Sequence, residues 1–313
     1  MNNARTFAAI LAAFGAWLSA DAEARAEKPP ITIGLAVANL QADFFRQIKA
    51  SVERAGQEAN VRVITVDARG DSAAQISQVR DLIAQKIDAL IYIPAGATAA
   101  AVPVNLARAA GIPTVAVDRN AEGAPADTFI ASDSVAGAHA LGRWVVEQTG
   151  GTAEIGIILG QIGTTPQLER DKGFGAAIAG HPGLRVVASQ ASLEWHQDEG
   201  FAIAQDMLQR RPTITVLFGQ ADALALGAAQ AVKVVKPDHR VLVVGFDGDV
   251  TGLKAVENGA LDATMTQPTQ EMGRMALRSA LDLIARKPVQ ALQLQATTLT
   301  TKANVYAFID NHP

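Results

Sequence analysis

Short apolar runs alternate with longer segments of helical periodicity along almost the whole chain after Pro30. Ile31–Ala38 and Val61–Val66 are two such runs, and Phe44–Glu58 between them carries apolar residues at helical spacing. Continuous apolar runs are typical of strands buried on both faces, and amphipathic helices cover those faces. The alternation therefore predicts an α/β fold of parallel βαβ units, with each sheet flanked by helices.

The alternation pauses once, around Asn120–Phe129, and then resumes with a similar rhythm. This predicts two α/β lobes that face each other across a cleft. The sequence shows no low-complexity linker between the halves, so we expect several short strand crossings to form the hinge. In the tail, Leu292–Thr301 and Val305–Ile309 are both predicted to be extended.

The N-terminus has the pattern of a secretory signal peptide. Arg5 precedes the mostly apolar stretch Thr6–Ala20, and alanines at alternate positions then provide A-x-A cleavage options. We predict a signal peptide over residues 1–26, so that the mature protein lies in the periplasm. An uncleaved anchor is the alternative, although the apolar run is short for a membrane span.

Composition and motifs exclude several classes of function. The net charge of −4 gives no electrostatic reason for nucleic-acid binding, and the absence of cysteine removes disulfides and thiolate chemistry. The five histidines are scattered, so we predict no metal site. The chain has no G-x-G-x-x-G, P-loop or G-x-S-x-G motif, so we predict no cofactor and no enzymatic activity.

Charged and amide side chains follow the predicted strands of both halves. Asp118–Arg119 ends one strand of the first half, and Gln220–Asp222 and Asp247 end strands of the second. Ligands of open α/β folds bind at this carboxyl edge of the sheet, where a carboxylate accepts hydrogen bonds from hydroxyls and a guanidinium donates them. These groups suit a ligand with neighbouring hydroxyls, while a plain salt bridge at the strand end remains the alternative for Asp118–Arg119.

These motifs together resemble those of a known family. The chain is similar to the ribose-type periplasmic sugar-binding proteins of bacterial ABC importers, over about residues 31–299. The shared pieces are Q-A-D-F-F at Gln41–Phe45, V-D-R at Val117–Arg119, I-A-S-D at Ile130–Asp133, L-E-R-D-K-G-F at Leu168–Phe174, Q-A-D-x-L-A-L-G-A at Gln220–Ala228, V-V-G-F-D-G at Val243–Gly248 and N-G-x-L-x-A-T-x-x-Q at Asn258–Gln267. Their order and spacing carry the resemblance more than any single piece does.

The resemblance implies two Rossmann-like lobes joined by three hinge crossovers, with the ligand in the cleft between them. It places the N-terminal lobe at residues 27–132 plus 268–297 and the C-terminal lobe at residues 133–267 plus 298–313. It implies a small sugar or polyol as ligand, hinge closure on binding, delivery to a membrane ABC permease, and a monomeric protein.

Carried over position by position, the resemblance implies a set of ligand-binding residues. The aromatic members are expected to cover the apolar faces of a sugar and the polar members to bind its hydroxyls. The set consists of Phe44, Phe45, Asp118, Arg119, Arg170, Trp195, Asp247 and Gln267. Because adjacent helical residues point about 100° apart, we expect at least one of the two phenylalanines to face the core.

Two positions depart from the ribose binders of that family. Ala42 and Ala221 stand where those proteins have asparagine, so two amides that could each donate and accept hydrogen bonds are missing. The ligand either lacks the matching hydroxyls, fills the space with carbon, or uses water or neighbours such as Asp43 and Gln220.

Three other functions share parts of this pattern. A transcription regulator of the lactose-repressor type requires a basic helix-turn-helix before the core, whereas only the signal-like segment precedes Ile31. A secreted α/β enzyme would convert its ligand instead of returning it unchanged. A receptor that presents the sugar to a chemoreceptor or sensor kinase has the same sequence features as one that serves import.

Overall fold

The computed structural model describes residues 30–313, so the predicted signal peptide at residues 1–26 lies outside the described part of the chain. In the described part, two six-stranded sheets form, each flanked by helices on both faces. The strand orders are β11-β5-β4-β3-β1-β2 and β12-β10-β9-β8-β6-β7. The predicted α/β class with two lobes is confirmed.

The first half of the chain supplies most of the first lobe. Its elements are β1 (Thr32–Val37), α1 (Asp43–Glu58), β2 (Arg62–Asp67), α2 (Ser72–Ala84), β3 (Ala89–Tyr92), α3 (Ala101–Ala109), β4 (Thr114–Val117) and β5 (Thr128–Ser132). The later elements α9 (Thr269–Ile284) and β11 (Leu292–Gln295) complete it. Every strand pair in this sheet is parallel.

The second lobe repeats the arrangement. Its elements are α4 (Ser134–Thr149), β6 (Ala153–Leu159), α5 (Thr165–Ile178), β7 (Leu184–Ala191), α6 (Gln197–Arg210), β8 (Val216–Gly219), α7 (Asp222–Val235), β9 (Leu242–Val244), α8 (Val250–Glu257), β10 (Ala263–Thr266), β12 (Thr298–Thr301) and α10 (Tyr306–Ile309). Each sheet packs between two apolar clusters, one on either face, which is why its central strands are apolar throughout.

One strand of the second sheet runs against the others, because β12 pairs with β10 in the antiparallel sense. The chain leaves the first sheet at the carboxyl end of β11, and only two residues separate β11 from β12. Since both carboxyl edges face the same cleft, β12 enters the second sheet from its carboxyl edge and must run in the reverse direction.

The chain crosses between the lobes near residues 133, 268 and 296. In both sheets the strand order reverses beside the first strand of the lobe, with β1 between β2 and β3 and with β6 between β7 and β8. Ligands of such sheets bind at this reversal point, on the carboxyl edge. The fold therefore places two such edges opposite each other.

The prediction of an extended segment over Val305–Ile309 is wrong, because Tyr306–Ile309 forms a short helix. Val305 is fully buried, and Phe308 and Ile309 pack with it against the apolar cluster beneath α6, α7 and α8. Spacings of three and four residues put these three side chains on one face of a helix. A strand would have placed Val305 and Phe308 on opposite faces.

Candidate ligand-binding site

An acid–base pair ends β4, in the middle of the first sheet. Asp118 and Arg119 are both only 6% exposed, and Arg119 Nε lies 3.6 Å from Asp118 Oδ2. Arg119 Nη1 also donates hydrogen bonds to the backbone carbonyls of Pro94 and Ala95, at 3.2 and 3.1 Å. The guanidinium is therefore anchored to the loop after β3 as well as to the carboxylate.

Burial shifts the proton affinity of both groups. Burial raises the pKa of Asp118, and the positive charges of Arg119 and Arg170 oppose that rise. Burial lowers the pKa of Arg119, and the charge of Asp118 opposes that fall. Both charged groups are therefore shielded from bulk water. In such surroundings a hydrogen bond between either group and a ligand hydroxyl is stronger than it would be in water.

A second pair lies on the other lobe. Arg170, in α5, places Nη1 3.2 Å from Oδ1 of Asp247, which follows β9. Arg170 Nη1 also donates to the backbone carbonyl of Gln220. Burial raises the pKa of Asp247 to about 7, against the opposing charge of Arg170. Each lobe therefore presents one arginine–aspartate pair at the edge of its sheet.

Aromatic rings lie between the two pairs. Phe44 and Phe45 on α1 meet edge to face, with their centroids 5.3 Å apart, and both belong to the apolar core of the first lobe. Arg119 Cζ lies 5.2 Å from the Phe45 ring. The Trp195 ring lies 5.7 Å from Arg119 Cζ of one lobe and 5.7 Å from Arg170 Cζ of the other. Trp195 is thus the point at which the two arginines converge.

A cavity of about 650 Å³ separates the lobes at this point. Its walls include most of the predicted residues, namely Phe44, Phe45, Asp118, Arg119, Arg170, Trp195 and Asp247. Ala42 and Ala221 also line it, as does Asp43. The volume is within the range typical of small-molecule sites.

Gln267 is placed differently from the other predicted residues, because it is fully buried and does not line the cavity. Its Nε2 donates to Asp247 Oδ1 at 2.8 Å. In this structure Gln267 therefore reaches the cavity only through the carboxylate that it orients.

Gln220 and Asp222 follow a strand end but lie behind the cavity wall. Both are fully buried, and neither lines the cavity. The carboxylate of Asp222 accepts a hydrogen bond from Thr264 Oγ1 at 2.5 Å and from the Asp249 backbone N–H at 3.1 Å. Asp222 thus ties α7 to β10 and to the turn before α8, and burial raises its pKa well above the ordinary value.

Several lining residues were not selected from the sequence. They include Asn39, Gln161 and His196, and Asn39 Nδ2 lies 3.5 Å from His196 Nε2 across the cleft. Each of them lies in a loop after the carboxyl end of a strand, β1, β6 or β7. That position was the available signal, but the same loops also contain many residues that point elsewhere.

Within residues 30–313, no group of three or more acidic, histidine or cysteine side chains is arranged to hold a metal ion. In the same range, no helix is both long and apolar enough to cross a bilayer.

Two α/β lobes with a polar and aromatic cavity between their carboxyl edges define a solute-binding protein of the two-lobed class. Comparison with known proteins identifies the family. The sequence-family model for the periplasmic binding protein domain matches residues 33–288 of this chain. The ribose import binding protein of Bacillus subtilis is 35% identical over 84% of this chain and 85% of its own length. That of Escherichia coli is 30% identical over 92% of this chain and 96% of its own length.

A comparison with solved structures gives the same family. A solute-binding protein of an ABC transporter from Bacillus halodurans, with bound myo-inositol, superposes with a TM-score of 0.84 at 26% identity, over 91% of this chain and 99% of that one. The chain belongs to the periplasmic binding protein family. The family consists of transporter binding proteins and not of enzymes, which confirms the prediction that this chain has no catalytic role.

Proposed function

We propose that this protein is a periplasmic receptor that captures a small sugar or polyol in the cavity between its lobes. The observation that carries the proposal is the convergence of Arg119 and Arg170, one from each lobe, on the ring of Trp195 at the wall of that cavity. A ring-shaped or chain polyol has apolar C–H groups for the aromatic surface and hydroxyls for the charged pairs.

The free energy available from hydrogen bonds in such a site is sufficient for a micromolar dissociation constant. Hydrogen bonds to charged groups contribute about 1.5–3 kcal/mol each. A micromolar dissociation constant corresponds to about −8 kcal/mol, so several such bonds suffice after the costs of ordering are subtracted. The proposed contacts are the residues that the resemblance implied, with Gln267 acting through Asp247.

Closure is proposed as a hinge motion of the two lobes, divided at 27–132 plus 268–297 and 133–267 plus 298–313. The assignment of α9 and β11 to the first sheet, and of β12 to the second, supports this division. Contacts across the cleft, such as Asn39 with His196, would form as the lobes close.

Delivery to a membrane ABC permease is the proposed use of the captured ligand. The named relatives are import binding proteins, which favours import over presentation to a chemoreceptor or sensor kinase. We further propose that the protein is a monomer and is exported to the periplasm by a signal peptide, residues 1–26, that is then cleaved. Light scattering after size exclusion and N-terminal sequencing of the exported protein test these two points.

The candidate ligands are pentoses, hexoses and polyols. Ala42 and Ala221 both line the cavity, so the positions that departed from the ribose binders bear directly on the ligand. Relatives and similar structures are named for ribose, xylitol, allose and myo-inositol. Asp43 lines the same wall, but its carboxylate already accepts hydrogen bonds from Arg46, Gln47 and the Val250 N–H and offers a ligand hydroxyl only an acceptor, so it replaces at most half of a missing amide.

A thermal-shift screen with D-ribose, D-allose, xylitol and myo-inositol tests the proposal. A ligand that binds the native state raises the Tm by mass action, by an amount that grows with its concentration. Titration calorimetry then gives the Kd, and recovery of the unchanged sugar separates a receptor from an enzyme. Absence of any shift with these four and with a wider set of pentoses, hexoses and polyols would contradict the proposed function.

A further inference from the structure

The tryptophan on which both arginines converge has an unusual backbone. Trp195 has φ +66°, in the left-handed region that costs a residue with a Cβ about 1–2 kcal/mol. Such a conformation persists only where its surroundings impose it. The surroundings of Trp195 therefore contain groups whose effect is to hold this residue in place.

One of these groups is the carboxylate of Glu199, in the first turn of α6. Its Oε1 accepts from the Leu193 backbone N–H at 2.6 Å, and its Oε2 accepts from those of Glu194 and His196 at 3.0 Å each. Three amides on both sides of Trp195 thus converge on one side chain. Glu199 fixes the path of the turn and with it the direction in which the indole points.

The second feature that holds Trp195 is Gly160, which directly follows β6 and has no side chain. A Cβ built on Gly160 would lie 1.8 Å from Cη2 of the Trp195 ring and 2.1 Å from its Cζ2 and Cζ3. The indole therefore occupies the space that a side chain at residue 160 would need. The Gly160 N–H donates to Gln220 Oε1 at 3.0 Å, and the backbone carbonyl of Gln220 binds Arg170.

We propose that Glu199 and Gly160 are positioning residues that fix the Trp195 indole in the cavity wall and so determine which sugars or polyols bind. Neither lines the cavity, and both act through the tryptophan. The inference rests on the proposed function for its effect on ligand binding, whereas the effect on the indole itself can be measured in the absence of any ligand.

The test uses the full-length protein with Trp17→Phe and Trp144→Phe, which leaves Trp195 as the single tryptophan. Gly160→Ala and Glu199→Gln are introduced into this background. We expect acrylamide to quench the Trp195 fluorescence of both variants more strongly, because the ring leaves its fixed position. Gly175→Ala, where an added Cβ meets nothing within 4 Å, and Glu147→Gln on the exposed face of α4 are the matched controls, and both should leave the quenching unchanged.

Stability measurements separate positioning from general damage to the fold. Gly160→Ala should lower the stability to urea when Trp195 is present and have little effect in a Trp195→Ala background, because the clash then has no partner. An equal loss in both backgrounds, or unchanged quenching in both positioning variants, would overturn the proposal. If Gly160→Ala alone does not fold, folding of the double variant answers the same question.

Measurements of binding affinity complete the test, with D-ribose, D-allose, xylitol and myo-inositol as probes. For each probe that binds the parent protein, we expect Gly160→Ala and Glu199→Gln to weaken binding roughly tenfold and to change the order of preference among the probes. Unchanged affinities and order would overturn the specificity role. If no probe binds but the quenching and stability results hold, the proposed function fails while the positioning of Trp195 stands.

Discussion

Three residues in the cavity wall, Asp118, Trp195 and Asp247, have φ values of +63°, +66° and +130°. Such values are costly for residues other than glycine and are found preferentially at functional sites. Each of the three comes directly after a strand or in the loop that follows one. At these three positions the strained backbone lies where the side chain turns from the sheet edge into the cleft, whereas the other non-glycine residues with positive φ among residues 30–313 do not line the cavity.

At the same scale, we expect Asp118→Ala or Arg119→Ala to weaken sugar binding at least about tenfold while the fold stays intact, because each removes charge-assisted hydrogen bonds. Calorimetry with the sugar identified by the thermal-shift screen measures the change. Arg211→Ala, on the exposed end of α6, is the control. Unchanged affinity in both site variants would remove this pair from the site.

The raised pKa of Asp247 predicts how stability depends on pH. Its native pKa is about 7 against 3.8 for the ordinary group, so between these values the native state holds a proton that the unfolded chain has released. Stability contributed by this group is therefore greatest at low pH and falls as pH rises through that window.

We accordingly expect the ligand-free Asp247→Asn variant to lose less stability than the parent between pH 4 and 7, since it has no carboxyl to ionise. Urea unfolding at several pH values measures both slopes. Glu147→Gln, which removes an exposed carboxyl of the same lobe, should keep the parent slope. Identical slopes for the parent and Asp247→Asn would show that the pKa is not raised.

At the scale of elements, close helix packing positions the second half of the site. The helices α6 and α7 begin directly after Trp195–His196 and after Ala221, respectively. A Cβ added at Gly227 in α7 would lie 2.1 Å from the Gln197 carbonyl oxygen and 2.4 Å from the Phe201 backbone nitrogen. The two helices can therefore approach to this distance only if residue 227 has no side chain.

Gly227→Ala should consequently destabilise the protein by about 1–3 kcal/mol, because the neighbouring atoms belong to backbone that cannot easily move. Gly175→Ala has open space around it and should instead stabilise α5 by roughly 0.5–1 kcal/mol, since alanine loses less entropy in a helix. Urea denaturation compares the two. A neutral Gly227→Ala would mean that α6 and α7 pack less closely than described.

At the scale of the whole molecule, the last residues lie against the hinge. His312 Nε2 lies 2.7 Å from the carbonyl oxygen of Gly248 in the second lobe, and His312 Nδ1 lies 3.1 Å from Thr269 Oγ1 at the start of α9. The Gln270 N–H donates to the Pro313 carbonyl oxygen at 2.9 Å. One imidazole thus joins the two sides of the crossing near residue 268.

His312→Ala should shift the balance between closed and open lobes toward the open form. Of its two hydrogen bonds, only the one to Thr269 joins the two lobes, and its loss costs about 0.5–1.5 kcal/mol; a smaller closed fraction then weakens the apparent affinity in proportion. We expect a Kd weakened several-fold and a larger radius of gyration of the ligand-free protein by small-angle scattering. His139→Ala on α4 is the control; equal radii and affinities would show that His312 does not act on the hinge.

The sequence alone determined the class of fold and the edge of each sheet at which the cleft lies. Continuous apolar strands need cover on both faces, so their alternation with amphipathic helices leaves little choice but parallel α/β lobes. Because parallel strands share a carboxyl edge, the residues that end them, such as Asp118 and Asp247, were predictable as neighbours of a cleft. Arg170 and Trp195 came from the resemblance to a family and not from their local pattern.

Only the tertiary structure decided which polar groups face the cavity and which support it. Gln267 and Asp222 are found where a ligand residue is expected, yet both are buried behind the wall and bind Asp247 and Thr264 instead. The helix at Tyr306–Ile309 and the convergence of Arg119 with Arg170 likewise depend on which surfaces meet. Side-chain direction at a strand end follows from backbone angles and from packing between segments distant in the chain, and neither is encoded in local sequence.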